Sequence, residues 1–198
     1  KKVFACALEW PGWARSGKTE DDALRTLAEY AERYRPVTER AGVRFPKSAG
    51  DDLRVVERVE GSSSTDFGVP AALDVRADQR ALTKAAAGRL ADLVDAAWAY
   101  FDDVASRAPA SLRKGPRGGG RDRDAIVEHV HNAVAAYGNK IGVRPVTHDA
   151  LLDALRAART PLPEATATGK STPWPFRYAA RRIAWHVLDH AWEIEDKS

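Results

Sequence analysis

Three histidines of this chain have a spacing and a setting that suit the binding of a divalent metal ion. His186 and His190 are four residues apart in the apolar segment RRIAWHVLDHAWEIEDKS, residues 181–198, and this spacing places both imidazoles on one side of a helix. His129 lies on the apolar stripe of a second helical pattern, RDRDAIVEHVHNAVAAYGNKIG. A buried imidazole needs a partner for each ring nitrogen, and three that converge from two helices predict a metal site.

Structural roles are the alternative for each histidine. A lone histidine on an apolar face is more often a hydrogen-bonded core residue than a ligand. His131 competes with His129 for the position on the second helix, because a rotated helix would present it instead. His148 begins a shorter helical pattern, where exposure to solvent or a capping role is expected.

Charged residues share the stripe of the last helix that carries the histidine pair. At about 100° per residue, Arg182, Asp189 and Glu193 fall in line with His186, between two apolar flanks. Such a stripe forms either a solvated ridge or the lining of a cleft. In a cleft, Glu193 or Asp189 would orient a ligand imidazole or act as a catalytic base. Arg182 would then hold an anionic group of a substrate.

Composition and charge favour a globular chain over a membrane or nucleic-acid-binding one. Of the 198 residues, 44% are hydrophobic and 30% are charged, and no apolar run approaches the roughly 18 residues of a membrane span. The net charge of +3 comes from 31 basic and 28 acidic residues. These are interleaved, whereas nucleic-acid-binding proteins concentrate basic residues on one face. The single cysteine, Cys6, excludes an intrachain disulfide, which predicts a cytoplasmic protein.

The first part of the chain is predicted to form a small sheet with one helix. KVFACALEW alternates like a strand that has Cys6 on its buried face. The following helix is expected to begin after Thr19 as its N-cap and to end at Pro36. VRFP and DLRVVERVE, near residues 43–60, are plausible further strands because of their branched residues. Residues 1–68 are therefore predicted to be an α+β unit.

From about residue 78 onward the pattern is helical. Loops are expected at residues 113–121 and 161–173, where glycine, proline and small residues are frequent. Four amphipathic segments lie around these loops, namely ADQRALTKAAAGRLADLVDAAWAYFDDVASRA, RDRDAIVEHVHNAVAAYGNKIG, THDALLDALRAAR and WPFRYAARRIAWHVLDHAWEIED. They predict a four-helix bundle over residues 78–198, so the fold class expected for the whole chain is α+β.

The two histidine-bearing helices resemble those of a known family. IVEHVHNAVAAY and, much later, IAWHVLDHAWEIED are similar to the DinB-like four-helix bundles, over about residues 78–196. In that family a histidine of the second helix and an H-x-x-x-H pair of the last helix bind a metal, often zinc or nickel. The resemblance therefore implies His129, His186 and His190 as the metal ligands.

The same resemblance carries expectations about activity. DinB-like relatives include thiol-dependent transferases and isomerases, in which the metal activates a low-molecular-weight thiol. A small-molecule substrate, with such a thiol as a partner, is therefore implied. A homodimer is also expected, since exposed apolar helix faces of such bundles often pair.

The N-terminal part resembles a second family. FACALEWPGWARSGKTEDDALRTLAEYAERY is similar to the HicB-like unit of antitoxins, and the likeness rests on LEWPG and GKTEDDAL within about residues 3–60. No DNA-binding module is recognisable downstream, so the unit is expected to serve as a packing or lid element.

These observations together predict a metal-dependent protein. The main hypothesis is an enzyme of the thiol-dependent transferase, isomerase or hydrolase type that acts on a small molecule. The alternative is a non-catalytic protein, antitoxin-like or partner-binding, in which the metal site is structural.

Overall fold

A computed structural model describes residues 1–115, 119–163 and 172–198 of the chain. Parts of the two predicted loops, residues 116–118 and 164–171, lie outside the described residues. The elements, in chain order, are β1 (Val3–Cys6), β2 (Ala14–Gly17), α1 (Glu20–Glu29), α2 (Ala31–Arg40), α3 (Ser63–Phe67), a 3-10 turn (Arg76–Gln79), α4 (Lys84–Arg107), α5 (Arg123–Lys140), α6 (His148–Ala157) and α7 (Phe176–Lys197). The architecture is mixed and mostly helical, which agrees with the predicted α+β class.

Strands β1 and β2 form an antiparallel pair that packs against α1. As predicted, Thr19 caps α1, and its side chain accepts a hydrogen bond from the backbone of Asp22. The turn between the strands approaches α7 closely at Gly12, whose φ is 94°. A Cβ atom at Gly12 would lie 2.6 Å from a methyl carbon of Leu188, so glycine permits both the backbone conformation and the contact.

The predicted end of the first helix at Pro36 is wrong. Helix α1 ends before Tyr30, which separates it from α2, and Pro36 lies inside α2. Proline removes one backbone hydrogen bond there, the one that would reach the carbonyl of Glu32. The opposite face of α2 stays packed, with Tyr34 and Val37 fully buried, and this burial holds the helix together past the proline.

The strands predicted between residues 43 and 60 are also absent from the described structure. VRFP and DLRVVERVE adopt no regular structure, and Val56 is 62% exposed. Branched residues favour an extended backbone, but a strand also needs a partner. The segment is instead attached through side chains, since Arg58 pairs with Glu20 and Arg76 pairs with Glu57.

The four helices expected after residue 78 all form. Helix α4 packs against α6 and α7, and α5 packs against α7. Helix α2 contacts α4, and most of the buried apolar residues of both predicted units belong to one hydrophobic cluster. The N-terminal unit therefore shares its core with the helices. Among the described residues, no helix combines the length and the apolar character that a membrane span requires.

Candidate metal centre

The structure brings together the three histidines that the sequence singles out. His129 projects from α5, while His186 and His190 lie one turn apart on α7. One nitrogen of each ring can be chosen so that all three lie within 4.8 Å of one another. The ring centroids are 5.0 Å apart for His129 and His186, 5.0 Å for His129 and His190, and 4.7 Å for the α7 pair. The imidazoles thus surround a common point.

Helix α7 places this cluster in a largely dry environment. Its two apolar flanks are buried as predicted, and they consist of Ile183, Val187 and Ile194 on one side and Trp185, Leu188 and Trp192 on the other. His186 is 7% exposed and His190 is 9% exposed, whereas His129 is only partly buried. The cluster is therefore open to its surroundings mainly on the side of α5.

Glu193 orients one of the imidazoles. Its Oε2 lies 2.7 Å from Nδ1 of His190, and its other oxygen accepts a hydrogen bond from Lys197. These two hydrogen bonds lower the pKa of Glu193 to about 2, so the carboxylate is ionised at neutral pH. A carboxylate on Nδ1 leaves the opposite ring nitrogen, Nε2, free to bind a metal ion.

The other two imidazoles are held in their neutral form. Burial, together with the nearby His190 and Arg182, lowers the pKa of His186 to about 3. Burial also lowers the pKa of His129, with help from Arg121. Only an unprotonated ring nitrogen can bind a metal ion, so both residues are in the form that a ligand requires.

One ring nitrogen of the cluster lacks a hydrogen-bond partner among the described residues. Nε2 of His186 is buried and has no hydrogen-bond partner among the described residues. Such a group costs about 1–3 kcal/mol when it is left unpaired, and a metal ion would satisfy it. Three imidazole nitrogens, with a carboxylate behind one of the rings, fit a divalent cation.

The other two histidines lie elsewhere. His131 is exposed and its ring packs 5.1 Å from the ring of Trp98 on α4. His148 is exposed at the start of α6, as expected, and lies 2.7 Å from a carboxylate oxygen of Asp95. Of the two candidates on α5, the structure therefore places His129 in the cluster.

Asp189, one of the two predicted catalytic carboxylates, contacts the N-terminal unit. Its Oδ1 lies 3.0 Å from Nη1 of Arg15 on β2. The Arg15 guanidinium in turn lies over the rings of Tyr30 and Trp192. Asp189 thus helps to fasten β2 to α7, and it is not a member of the histidine cluster.

Arg182, the predicted substrate-binding residue, lies beside the cluster. Its guanidinium is 4.6 Å from the ring of Trp185 and donates a 2.9 Å hydrogen bond to the hydroxyl of Tyr137. The Tyr137 ring is 5.6 Å from that of His186. The sequence pattern did not identify Tyr137 as a site residue. Its position two turns after His129 was the available signal that it would approach the same site.

A cavity of about 1090 Å³ adjoins this site. It lies between β1, the WPGW turn, the extended segment near residues 53–61 and one side of α7, where Arg182 and Trp185 line it. Cys6 also lines it and is exposed, so the prediction that this residue is buried is wrong; β1 ends there, before the alternation continues.

We compared the chain with protein-family models, with curated proteins and with solved structures, and none of them matches. The geometry of the histidine cluster must therefore support any functional conclusion by itself.

Proposed function

We propose that the chain binds a divalent metal ion, zinc or nickel, through His129, His186 and His190. The observation that supports this proposal is the convergence of three ring nitrogens within 4.8 Å of one another. The buried and unpaired Nε2 of His186 and the carboxylate behind His190 add to it. An unpaired buried nitrogen costs free energy unless a metal ion or another partner satisfies it. A carboxylate hydrogen-bonded to an imidazole is common behind metal-binding histidines.

The number of ligands favours catalysis over a structural site. Structural zinc sites are closed by four protein ligands, whereas catalytic sites keep a position for water or substrate. Within the described part of the chain, no fourth histidine, cysteine or carboxylate joins the cluster. We therefore propose a metal-dependent enzyme of the DinB-like type, acting on a small molecule as a thiol-dependent transferase, isomerase or hydrolase.

The chain's own residues have distinct roles in this proposal. A bound metal would supply Lewis acidity and lower the pKa of a bound thiol or water. Glu193 holds the His190 ring in the tautomer that leaves Nε2 free. Of the two predicted catalytic carboxylates, Glu193 is the one that contacts the cluster, since Asp189 is paired with Arg15. Glu193 is thus the carboxylate that positions a ligand ring, and its second oxygen is held by Lys197.

Replacing Glu193 with Gln is expected to weaken metal binding at least about tenfold, because the amide no longer fixes the His190 ring with a charged acceptor. A competition titration with a chromophoric chelator measures the change. Glu128→Gln is the matched control, since this exposed glutamate lies next to His129 in sequence and its loss should leave the affinity unchanged. Full retention of both affinity and activity in Glu193→Gln would contradict the role.

The proposed function is tested by elemental analysis of tag-free protein purified without chelators. We expect about one divalent ion per chain, and we expect this protein to consume a low-molecular-weight thiol in the presence of an electrophile. Protein that holds no stoichiometric metal would contradict the proposed site. Bound metal without thiol consumption would refute the transferase activity and favour the structural alternative.

That alternative, a partner-binding protein with a structural metal site, has one observation in its favour. The sheet has two strands, and the segment that would have extended it lies apart with Val55, Val56 and Val59 exposed. Exposed branched residues, together with a sheet that this segment does not extend, suit a protein partner. Metal content would then be stoichiometric, and no reaction would depend on it.

A further inference from the structure

Arg182 is a buried arginine without a carboxylate partner among the described residues. It is 7% exposed, and its Nη2 donates to Tyr137, while its buried Nη1 has no acceptor in the described part of the chain. The neighbouring Arg181 shows the usual arrangement, because both of its Nη groups donate to the carboxylate of Asp78. The two adjacent arginines thus differ in that one is neutralised and the other is not.

This arrangement is energetically unfavourable for the free protein. An arginine remains charged in proteins, and a buried charge is normally paired with an opposite one. The ring centroids of Trp185 and Tyr137 lie 4.6 Å and 5.0 Å from the guanidinium carbon, and both rings attract the cation. They do not supply the hydrogen-bond acceptor that Nη1 lacks. Burial accordingly lowers the pKa of Arg182. An anion placed at Nη1 would supply both the charge and the acceptor.

Arg182 also forms part of the wall of a cavity. Together with Trp185 it lines the cavity of about 1090 Å³, and the Trp185 ring is 5.9 Å from the ring of His186. Apolar side chains form much of the rest of the wall, including Phe4, Trp10, Leu24, Leu53 and Val75. A ligand in the cavity would therefore meet a cation at the end of the wall that is next to the histidine cluster.

We propose that Arg182 binds the carboxylate of an organic anion whose apolar body occupies this cavity. The binding of such an anion does not depend on the proposed function. Only its role as the substrate of the proposed enzyme rests on that function. A single guanidinium with one hydroxyl neighbour suits a singly charged carboxylate, whereas a phosphate dianion usually needs several cations. Arg181, a partly buried arginine on the same wall, is already paired with Asp78.

The proposal is tested with 4-phenylbutyrate and its uncharged amide as probes, by isothermal titration calorimetry. The full chain is treated with a chelator beforehand, so that the probe cannot bind through a metal. We expect the carboxylate to bind at least about tenfold more tightly than the amide, as a hydrogen-bonded charge pair implies. Arg182→Gln should abolish this preference, and Arg182→Lys, which keeps the charge without the planar fork, should retain part of it.

Arg54→Gln is the matched control, because Arg54 is exposed and lines the same cavity. Its loss should leave the preference intact. The proposal would be overturned if the acid and the amide bound equally well, or if neither bound at about 10 mM. It would also be overturned if Arg182→Gln kept the preference for the acid, or if Arg54→Gln lost that preference to the same extent as Arg182→Gln. Because the assay needs no metal, its outcome is independent of whether the histidines bind one.

Discussion

Replacing His186 or His190 with Ala is expected to abolish stoichiometric metal binding, with an affinity loss of more than about 100-fold. Each substitution removes one of three ring nitrogens that lie within 4.8 Å of one another. Even residues that merely hydrogen-bond to a ligand contribute about 10–100-fold to metal affinity, so the loss of a ligand itself should exceed that range. His129→Ala should behave in the same way, although it acts from α5 and not from α7.

Elemental analysis after dialysis against a competing chelator measures this loss. His131→Ala and His148→Ala are matched controls, since each removes an exposed imidazole outside the cluster. Both should retain about one ion per chain. If His131→Ala loses as much metal as His129→Ala, or if His186→Ala retains its metal, then the ion is held elsewhere and the proposed site is wrong. Circular dichroism of each variant separates ligand loss from unfolding.

The shared position of His186 and His190 could be predicted because their spacing is a local pattern, whereas His129 was added from the apolar stripe of a second helix and from the family resemblance. The spacing of His186 and His190 fixes their shared side on any helix, and both helices that carry the cluster form as the apolar periodicity predicts. The choice between His129 and His131 needed the rotation of α5, which depends on its contact with α7. Sequence periodicity alone left that choice open, and the described structure places the ring of His131 against Trp98 instead.

Pairings between distant segments could not be predicted in this way. The ion pair of Arg15 with Asp189 joins β2 to α7. Asp189 and Glu193 look equivalent on a helical wheel, but this ion pair directs Asp189 away from the histidine cluster. The hydrogen bond from Arg182 to Tyr137 also depends on how α5 and α7 meet. Likewise, the valines near residue 56 predicted a strand from their branching, but no strand within the described residues pairs with them.

Replacing Asp78 with Ala is expected to destabilise the fold by about 3–5 kcal/mol, the usual cost of breaking a buried ion pair by removing one partner. Asp78 is fully buried in the 3-10 turn before α4. Its two oxygens accept hydrogen bonds of 2.5 and 2.6 Å from Arg181 on α7. The substitution leaves the Arg181 guanidinium beside Arg182 with no counter-charge, so two uncompensated cations would share one wall of the cavity.

Urea unfolding in the presence of a chelator measures this change without a contribution from bound metal. Asp92→Ala is the control, because its pair with Arg156 is about half exposed on both sides and should contribute no more than about 1 kcal/mol. In a second variant, Asp78→Leu combined with Arg181→Met should recover most of the lost stability, since neither partner of the pair leaves an unpaired charge behind. Equal effects of Asp78→Ala and Asp92→Ala would show that Arg181 is not in fact compensated by Asp78. Arg182 would then lose the contrast with its neighbour Arg181 from which the anion site was inferred.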